Sequence, residues 1–330
     1  MQPFTYSRAG ARLDAVSAAG PETMFLAGGT ELVQLLKAGL ATPRQLIDIG
    51  HLDEGRGIDL LSDKRVHIPA LATMAATARN PLVCDRWPMV ADALLLSASQ
   101  QIRNVATIGG NLLQRTRCSY FRDVTMPCNK HAPGTGCPAR EGEHRHHAIF
   151  GTSEHCIASH PSDLAVALMA LDAVVEVEGA SGRKRIPISD LYLQPGNQPE
   201  RDHSLAAGDL IVAVDLPAGY IPRHRQRYLK IRDRQSFEFA IVSLACALDL
   251  AEDGTIRGAR MAAGGVGTIP WRFPAVEALL INRRGSPALF AEAGELAVDG
   301  AQPLSGNRFK VQLLRNLLVR MLEDLAGATA

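Results

Sequence analysis

A strand signal, a glycine pair and a helix signal follow one another in the stretch Phe25-Leu26-Ala27-Gly28-Gly29-Thr30-Glu31-Leu32. Glycine allows the backbone to adopt positive φ and to come within hydrogen-bonding distance of a phosphate. Successive N–H groups in such a turn, at the start of a helix, form an anion-binding nest. The stretch therefore predicts a strand–turn–helix unit that can hold a phosphate group.

A second glycine turn, expected to follow another apolar strand, lies in Ala106-Thr107-Ile108-Gly109-Gly110-Asn111-Leu112. The hydroxyls of Thr30 and Thr107 and the amide of Asn111 add donors to the two turns. Neither turn fits the G-x-G-x-x-G dinucleotide fingerprint or the G-x-x-x-x-G-K-S/T P-loop, so a Rossmann or NTPase fold is not indicated. Two converging turns would suit a pyrophosphate, but their spacing does not show that they converge.

Secondary-structure signals divide the chain into three segments. Residues 1–56 have a βαβαβ order, with strands near 4–6, 23–27 and 46–49 and helices near 11–19 and 31–38. Strands dominate residues 57–220, near 64–69, 174–178 and 209–216, with helices near 89–97 and 162–171. Residues 221–330 carry strands near 228–231, 240–249 and 255–263, and helices near 273–280, 287–297 and 308–325.

Charge and hydropathy argue against two classes of protein. The 330 residues carry a net charge of +1 with no basic stripe, which argues against a nucleic-acid binder. No apolar run approaches the roughly 18 residues of a membrane span, so we expect no membrane insertion. The first residues show no basic segment followed by an apolar one. We therefore expect no export signal, and a cytoplasmic location unless a partner carries the folded chain across a membrane.

Four of the six cysteines fall in one window, with the spacing C-x9-C-x8-C-x18-C: Cys118, Cys128, Cys137 and Cys156. The other two, Cys84 and Cys246, lie in apolar stretches and are expected to be buried thiols of the core. Residues 115–159 are rich in Cys, His, Gly and Pro and show neither the helical nor the strand period. This segment therefore reads as an insert in the surrounding scaffold.

Three kinds of cross-link are compatible with this insert, which has too little apolar content to build its own core. Disulfides are one, although no export signal is seen. Structural zinc is another, with help from His131, His144, His146, His147 or His155, although the spacing is not that of a zinc ribbon. A four-thiolate iron–sulfur cluster is favoured, although the spacing is not that of a bacterial ferredoxin. Cys118, the first cysteine of the insert, lies seven residues after Asn111, which would put a redox centre beside a cofactor nest.

Several motifs together resemble the flavin domain of the xanthine dehydrogenase/aldehyde oxidase family, the molybdenum hydroxylases. Residues Ile102–Leu112 resemble the second FAD loop of that domain, and Leu26–Leu32 resemble the first. His160–Leu164, Leu229–Arg234 and Ala263–Pro270 match further motifs in the same order. The resemblance covers nearly the whole chain.

The resemblance implies an α+β fold: a vanillyl-alcohol-oxidase-like (PCMH-type) FAD-binding fold of two α/β subdomains, followed by a smaller C-terminal domain of antiparallel strands and helices. In this sequence the subdomains would be residues 1–56 and 57–220, with the insert at about 115–159. The C-terminal domain would be residues 221–330.

The resemblance also implies roles for individual residues. The FAD pyrophosphate would be held by Leu26, Ala27, Gly28, Gly29, Thr30, Glu31 and Leu32 and by Thr107, Gly109, Gly110 and Asn111. Leu32 and Leu113 would pack on the isoalloxazine faces. Asp163 would hydrogen-bond flavin hydroxyls, Ile211 would contact the ring, and Lys230 would lie near its polar edge. The structural alternatives are a helix cap for Asp163, a strand core for Ile211 and a surface salt bridge for Lys230.

Most members of the family lack a cysteine insert at this place. Two branches that carry one are the FAD and iron–sulfur subunits of periplasmic aldehyde oxidoreductase and of 4-hydroxybenzoyl-CoA reductase. Tyr120–Asp123 and Pro133–Cys137 look closer to the aldehyde oxidoreductase branch. This resemblance implies that the four cysteines of the insert bind a [4Fe–4S] cluster. It also implies periplasmic residence through co-export with a partner.

The implied function is electron transfer with no residue that attacks substrate. A large molybdenum-cofactor subunit would oxidise an aldehyde, and a small [2Fe–2S] subunit would pass the electrons to FAD on this chain. The external acceptor would be a quinone, a ferredoxin, a cytochrome or oxygen. The alternatives are a xanthine- or benzoyl-CoA-type complex, a zinc-stabilised interaction scaffold and a stand-alone flavin reductase.

Overall fold

Three short parallel strands form the first sheet in the computed structural model, which describes residues 1–52 and 57–327. Strands β1 (Thr5–Arg8), β2 (Thr23–Leu26) and β3 (Gln45–Asp48) lie in the order β1-β3-β2. They are connected by helices α1 (Arg12–Ser17) and α2 (Leu32–Ala38). The predicted βαβαβ order is confirmed, and α2 ends where Gly39 adopts a φ of +74°.

Five antiparallel strands form the second sheet, in the order β4-β5-β8-β6-β7. Their inner faces are built from valine, isoleucine and leucine, which suit a half-buried pleated surface. The strands are β4 (Asp59–Leu60), β5 (Val66–Pro69), β6 (Val174–Gly179), β7 (Gly182–Pro187) and β8 (Leu210–Leu216).

Helices, and not strands, dominate the stretch between β5 and the insert. The helix expected near 89–97 is present, but the expectation that strands dominate was wrong for this stretch. Each helix there has eight residues or fewer, which is too short to show a clear helical period. Local signals start several of them: Thr73, Asn80 and Ser99 cap helices, and proline opens two. They are α3 (Met74–Arg79), α4 (Pro81–Arg86), α5 (Pro88–Leu95), α6 (Gln100–Arg103) and α7 (Ile108–Leu112).

The insert itself is largely irregular, as the sequence predicts. Within residues 115–159 the structure assigns one short helix, α8 (Ser119–Arg122), and a 3-10 turn at Pro138–Arg140. After the insert come α9 (Asp163–Ala170) and α10 (Ile188–Leu191). Every residue of α9 is buried, which fits a helix that is apolar on all sides.

The C-terminal part is a four-stranded antiparallel sheet covered by helices, as predicted. Its strand order is β12-β11-β10-β9. The strands are β9 (Gln226–Ile231), β10 (Val242–Leu250), β11 (Ile256–Gly264) and β12 (Trp271–Arg272). The helices are α11 (Pro274–Leu280), α12 (Pro287–Ala297) and α13 (Phe309–Gly327).

Two large apolar cores hold these layers together. The first lies among α5, α9 and the second sheet, and the second lies between the C-terminal sheet and its helices. Helix α9 packs on β10 and β11 and so joins the two cores. The three sheets fall one in each predicted segment. The exact boundaries stay predictions, and the one at residue 56 lies outside the described residues.

A buried carboxylate ties three basic side chains to the second sheet. Asp215 in β8 has a side chain that is 1% exposed, and it accepts hydrogen bonds from Arg65, His67 and Arg185. The His67 and Arg185 contacts are 2.7 and 2.8 Å long. Burial by itself would raise the pKa of Asp215, but the hydrogen bonds from its basic partners hold that pKa below its usual range. The same contact raises the pKa of His67.

We expect Asp215→Asn to lower the free energy of unfolding by about 2 kcal/mol near pH 6, because partly exposed basic groups lose a buried partner. The carboxylate contribution is present above the ordinary carboxyl pKa and is lost as the pH falls through the lowered value. The His67 contribution is present below the ordinary imidazole pKa and is lost as the pH rises through the raised value. The destabilisation should therefore be largest between about pH 4 and pH 7.

Urea unfolding of both proteins across this pH range measures the effect. Asp85→Asn, at an exposed carboxylate on α4, is the matched control and should change little. A difference for Asp215→Asn that does not vary with pH would contradict the ion-pair assignment.

Candidate functional site

The first glycine turn joins β2 to α2 and is pressed against a distant segment of the chain. Gly29 has a φ of +70°, which favours glycine. Gly28 is needed for another reason, since a Cβ atom there would lie 2.2 Å from the carbonyl oxygen of Val105. No side chain fits between them, so the first turn lies directly on the segment that leads into the second.

The second glycine pair lies inside a short helix. Thr107 caps α7, and its Oγ1 accepts a hydrogen bond of 3.2 Å from the N–H of Gly110. The turn was expected to follow a strand, but it follows α6, and an isolated β-bridge joins Thr107 to Thr73. Apolar content alone does not separate a buried linker between helices from a strand.

The two turns line one cavity of about 280 Å³, so the convergence that their spacing left open is present. We call this space the turn cavity. Residues from both turns and from two later elements contribute to its wall: Thr30, Glu31, Gly110, Asn111, Asp163 and Lys230. The amide oxygen of Asn111 accepts a hydrogen bond of 2.6 Å from Ser162, which ties the second turn to the start of α9. The arrangement offers backbone N–H groups, polar side chains and one buried ion pair to a long polar ligand.

Asp163 lies at the centre of a buried hydrogen-bond network in this wall. It accepts from the Ser97 hydroxyl (2.8 Å), the Tyr228 hydroxyl (2.6 Å) and Lys230 Nζ (2.7 Å). The capping alternative is wrong, because Ser162 caps α9. The surface alternative for Lys230 is also wrong, because its side chain is 1% exposed. Contact of either residue with a flavin stays a prediction.

Other predicted flavin contacts lie outside the wall of the turn cavity in the part of the chain that the structure describes. Leu32 begins α2, Leu113 lines a smaller cavity, and Ile211 lines a third, apolar cavity with Ile49 and Leu71. Leu26 ends β2 and Ala27 packs on the apolar cluster beside the first sheet. Their roles toward a flavin stay predictions.

Glu31 joins the first turn to the start of the insert. One carboxylate oxygen accepts from the backbone N–H of Arg115 (3.1 Å) and from Arg122 (2.6 Å). The other accepts from Arg117 (2.6 Å). Burial lowers the pKa of Arg117, and Glu31 opposes that shift. The hydrogen bonds of Glu31 therefore attach the insert to the glycine turn through residues on both sides of Cys118.

All four cysteines of the insert line one small cavity, which we call the cysteine cavity: Cys118, Cys128, Cys137 and Cys156. The backbone N–H of Ala158 donates to Cys156 Sγ at 3.5 Å. Backbone N–H groups also lower the pKa of two other thiols, those of Tyr120 and Phe121 at Cys118 and those of Ala139, Arg140 and Ile157 at Cys137. Such donors favour the thiolate form.

Burial acts in the opposite direction on the same thiols. It raises the pKa of Cys118 to about 12 and that of Cys156 to about 11, and it also raises the pKa of Cys137. Without a positive centre among them these thiols are protonated at neutral pH. A bound metal would reverse this, because a coordinating thiol loses its proton.

Two histidines, His147 and His155, also line the cysteine cavity. His147 Nε2 lies 3.2 Å from Cys118 Sγ. Burial, and then the nearby Lys310, lowers the pKa of His147 to about 4. His144 is buried too, but its ring bonds the backbone of Ala139 and Gly306.

The described residues hold no group of three or more His, Cys, Asp or Glu side chains placed to bind a single metal ion. The six cysteines are all free thiols, so the structure contains no disulfide between them. Cys246 is buried as expected, whereas Cys84 is only partly buried.

Sequence reasoning missed three residues of this site, Ser97, Tyr228 and Arg117. Tyr228 precedes Lys230 by two positions on β9 and so shares its face, which was a usable signal. Arg117 lines both the turn cavity and a neighbouring cavity beside Cys118 and Asp163. Nothing in the local sequence separates Ser97 from other serines.

No helix within the described ranges is both long and apolar enough to cross a membrane.

Known proteins resemble this chain along nearly its whole length. Residues 2–219 match the family described as FAD binding domain in molybdopterin dehydrogenase, and residues 227–325 match CO dehydrogenase flavoprotein C-terminal domain. The chain is 41% identical, over 98% of both sequences, to the aldehyde oxidoreductase FAD-binding subunit PaoB of Escherichia coli (strain K12). It is 23% identical to the putative xanthine dehydrogenase FAD-binding subunit XdhB of the same organism, over 98% of this chain and 96% of that one.

Solved structures show the same fold. Reconstituted CO dehydrogenase from Oligotropha carboxidovorans aligns with a TM-score of 0.77 at 21% identity, over 100% of both chains. The predicted fold class is confirmed: an FAD-binding fold followed by a C-terminal domain of antiparallel strands and helices.

We expect Gly28→Ala to reduce bound FAD, because the new methyl group must push the first turn away from Val105. A displacement that costs about 1.4 kcal/mol of binding free energy weakens binding about tenfold. Flavin absorbance per polypeptide and a FAD titration of the apoprotein measure the change.

Gly57→Ala is the matched control, because a Cβ there makes only ordinary contacts. It should bind FAD like the wild type. Normal FAD affinity in a folded Gly28→Ala protein, checked by circular dichroism, would refute the packing argument.

Proposed function

Because this chain belongs to the FAD-binding subunits of the molybdenum hydroxylases, we propose that it is the FAD and [4Fe–4S] subunit of an aldehyde oxidoreductase. The relative with 41% identity is an aldehyde oxidoreductase subunit, whereas the xanthine dehydrogenase relatives are 23% identical. This difference favours the aldehyde branch over the purine branch.

One observation carries the iron–sulfur part of the proposal: four cysteines far apart in sequence line a single buried cavity. Backbone N–H groups aim at three of the sulfurs, as suits thiolates that ligate a cluster. A single zinc ion needs its sulfur ligands about 2.3 Å from one point, and no group of described residues is placed in that way. A cluster of four irons and four sulfides is wider than one ion, so it needs ligands that are further apart.

The turn cavity fits the polar part of FAD. The N–H groups of the first turn suit the pyrophosphate. Those of Ile108, Gly109 and Gly110 in α7 already bond Ala72, Ala70 and Thr107, so the second turn would contribute its surface and the Asn111 side chain. Gly28 and Gly109 keep the backbone close to Val105 and Ala70, and Gly110 lines the cavity itself. Asp163 and Lys230 would orient flavin hydroxyls and the polar ring edge. When bound, FAD supplies two-electron chemistry that can be divided into one-electron steps.

Glu31 links the proposed FAD site to the proposed cluster site. It belongs to the first turn and binds Arg115, Arg117 and Arg122 at the start of the insert. A rigid link of this kind would keep a flavin and a cluster at a constant separation. The chain's own residues then bind, orient and shield the two cofactors, and substrate chemistry belongs to a partner.

The proposed assembly has two further subunits, a large molybdenum-cofactor subunit and a small [2Fe–2S] subunit. The external acceptor, whether quinone, ferredoxin, cytochrome or oxygen, lies beyond this chain. Residence in the periplasm, through co-export with a partner, stays part of the proposal.

Replacement of one cluster ligand tests the iron–sulfur assignment. We expect Cys128→Ser, purified without oxygen from cells supplied with iron and riboflavin, to lose its iron while it keeps FAD. Iron analysis and the visible spectrum measure this, with loss of the broad iron–sulfur absorbance and retention of the flavin peaks.

Cys84→Ser is the matched control, since Cys84 lies outside the cysteine cavity and should leave the iron content unchanged. Unchanged iron in Cys128→Ser would count against the ligand assignment. A wild-type preparation that contains flavin but no iron would contradict the cluster assignment and leave only the FAD assignment. A colourless preparation that contains zinc would favour the interaction scaffold.

Activity of the purified complex tests the aldehyde assignment. With an artificial electron acceptor, we expect turnover of aromatic and aliphatic aldehydes to exceed that of purines by at least about tenfold, as a difference in transition-state stabilisation of about 1.4 kcal/mol would give. Purine oxidation at a higher rate would instead place the complex in the xanthine dehydrogenase branch.

A further inference from the structure

Two adjacent side chains, Cys118 and His147, lie between the cysteine cavity and the space beside the turn cavity. His147 lines the cysteine cavity and also the neighbouring cavity, whose wall includes Ser162 and Asp163. Its Nε2 atom lies 3.2 Å from Cys118 Sγ, within the range of a hydrogen bond to sulfur. His147 is itself buried.

The backbone around His147 is held from two directions. Its N–H donates to His144 O at 3.0 Å. Its carbonyl oxygen accepts from Lys310 Nζ (2.9 Å) and from Asn307 Nδ2 (3.3 Å), and both of these side chains are fully buried. The imidazole is therefore presented to Cys118 by a fixed support.

The surroundings of the ring decide which nitrogen carries a proton. A cysteine thiolate has no proton to donate, so a bond between it and Nε2 requires the proton to be on Nε2. The other nitrogen, Nδ1, is buried without a hydrogen-bond partner among the residues that the structure describes. A buried acceptor without a partner is tolerated more often than a buried N–H without one, which also favours the proton on Nε2.

His147 differs from the other donors to the cysteine sulfurs. The Ala158 N–H at Cys156 and the N–H groups that lower the pKa of Cys118 and Cys137 belong to the backbone, so they come with any sequence that folds in this way. The His147 bond depends on the identity of one side chain. It is the donor to these sulfurs that a substitution can remove without altering the backbone.

We propose that His147 is a positioning residue that donates a hydrogen bond to the Cys118 ligand of the cluster and thereby raises the reduction potential of the cluster. This inference rests on the proposed function, since it needs the cluster. One-electron reduction adds a negative charge that is shared with the ligand sulfurs, and an N–H dipole aimed at sulfur stabilises the reduced form more than the oxidised form. Removal of the donor should therefore make the cluster harder to reduce.

The test compares three variants of the full chain with the wild type, all loaded with iron and FAD under anaerobic conditions. His147→Leu removes the donor. His147→Gln restores an N–H at about the position of Nε2. His144→Gln is the matched control, because His144 is a buried histidine of the same segment whose ring bonds Ala139, Gly306 and Ser305 and none of the cysteine sulfurs. Iron and flavin contents are measured first, and then the cluster potential by redox titration followed by electron paramagnetic resonance.

We expect His147→Leu to keep FAD and to shift the cluster midpoint to a more negative potential, with altered resonance of the reduced cluster. The midpoint potential of the His147→Gln protein should lie close to that of the wild type, and His144→Gln should leave the midpoint potential unchanged. Loss of iron in His147→Leu with retention in His147→Gln would also support the donor, as a bond needed to hold Cys118.

Two results would overturn the inference. One is an unchanged potential in an iron-loaded His147→Leu protein. The other is loss of iron from both His147 variants but not from His144→Gln, which would mean that the imidazole itself is required. Failure of the proposed function is distinguishable from both, because the wild type itself would then bind no iron.

Discussion

The close approach of Gly28 to the carbonyl of Val105 is the constraint on which the site depends. It brings the βαβαβ segment against the helical segment that carries the second glycine pair, so that two turns nearly 80 residues apart border one cavity. Glu31, three residues further on, then fixes the start of the cysteine insert through Arg115, Arg117 and Arg122. A single turn thus determines where both the turn cavity and the cysteine insert lie.

Much of the fold was predictable because its longer elements carry clear periods. The parallel first sheet, the strands of the C-terminal sheet and the helices α12 and α13 lie within a few residues of their expected places. The glycine turns were recognisable because backbone geometry restricts residue choice there. The cysteine cluster was recognisable because cysteines are scarce elsewhere in the chain. Family resemblance, and not spacing, supplied the cofactor identities.

The features that the sequence did not predict depend on long-range contacts, which the neighbouring residues do not indicate. The helices between Met74 and Leu112 are too short for a period to emerge, and their starts depend on single caps. The Ser97 contact with Asp163 joins residues 66 positions apart, and the sequence around Ser97 does not predict it. Leu113 and Ile211 lie in cavities separate from the one expected, because strand and helix packing decides which wall each side chain joins.

The support for His147 has a consequence for biogenesis. Asn307 and Lys310 reach it across 160 and 163 positions of sequence, so ribosomes produce the four cysteines well before these anchors. A nascent chain therefore carries exposed thiols without a finished pocket until the last helix has folded back. Until that helix is in place, the four thiols are open to oxidation and to thiol–disulfide exchange, so the C-terminal residues protect chemistry that lies in the middle of the sequence.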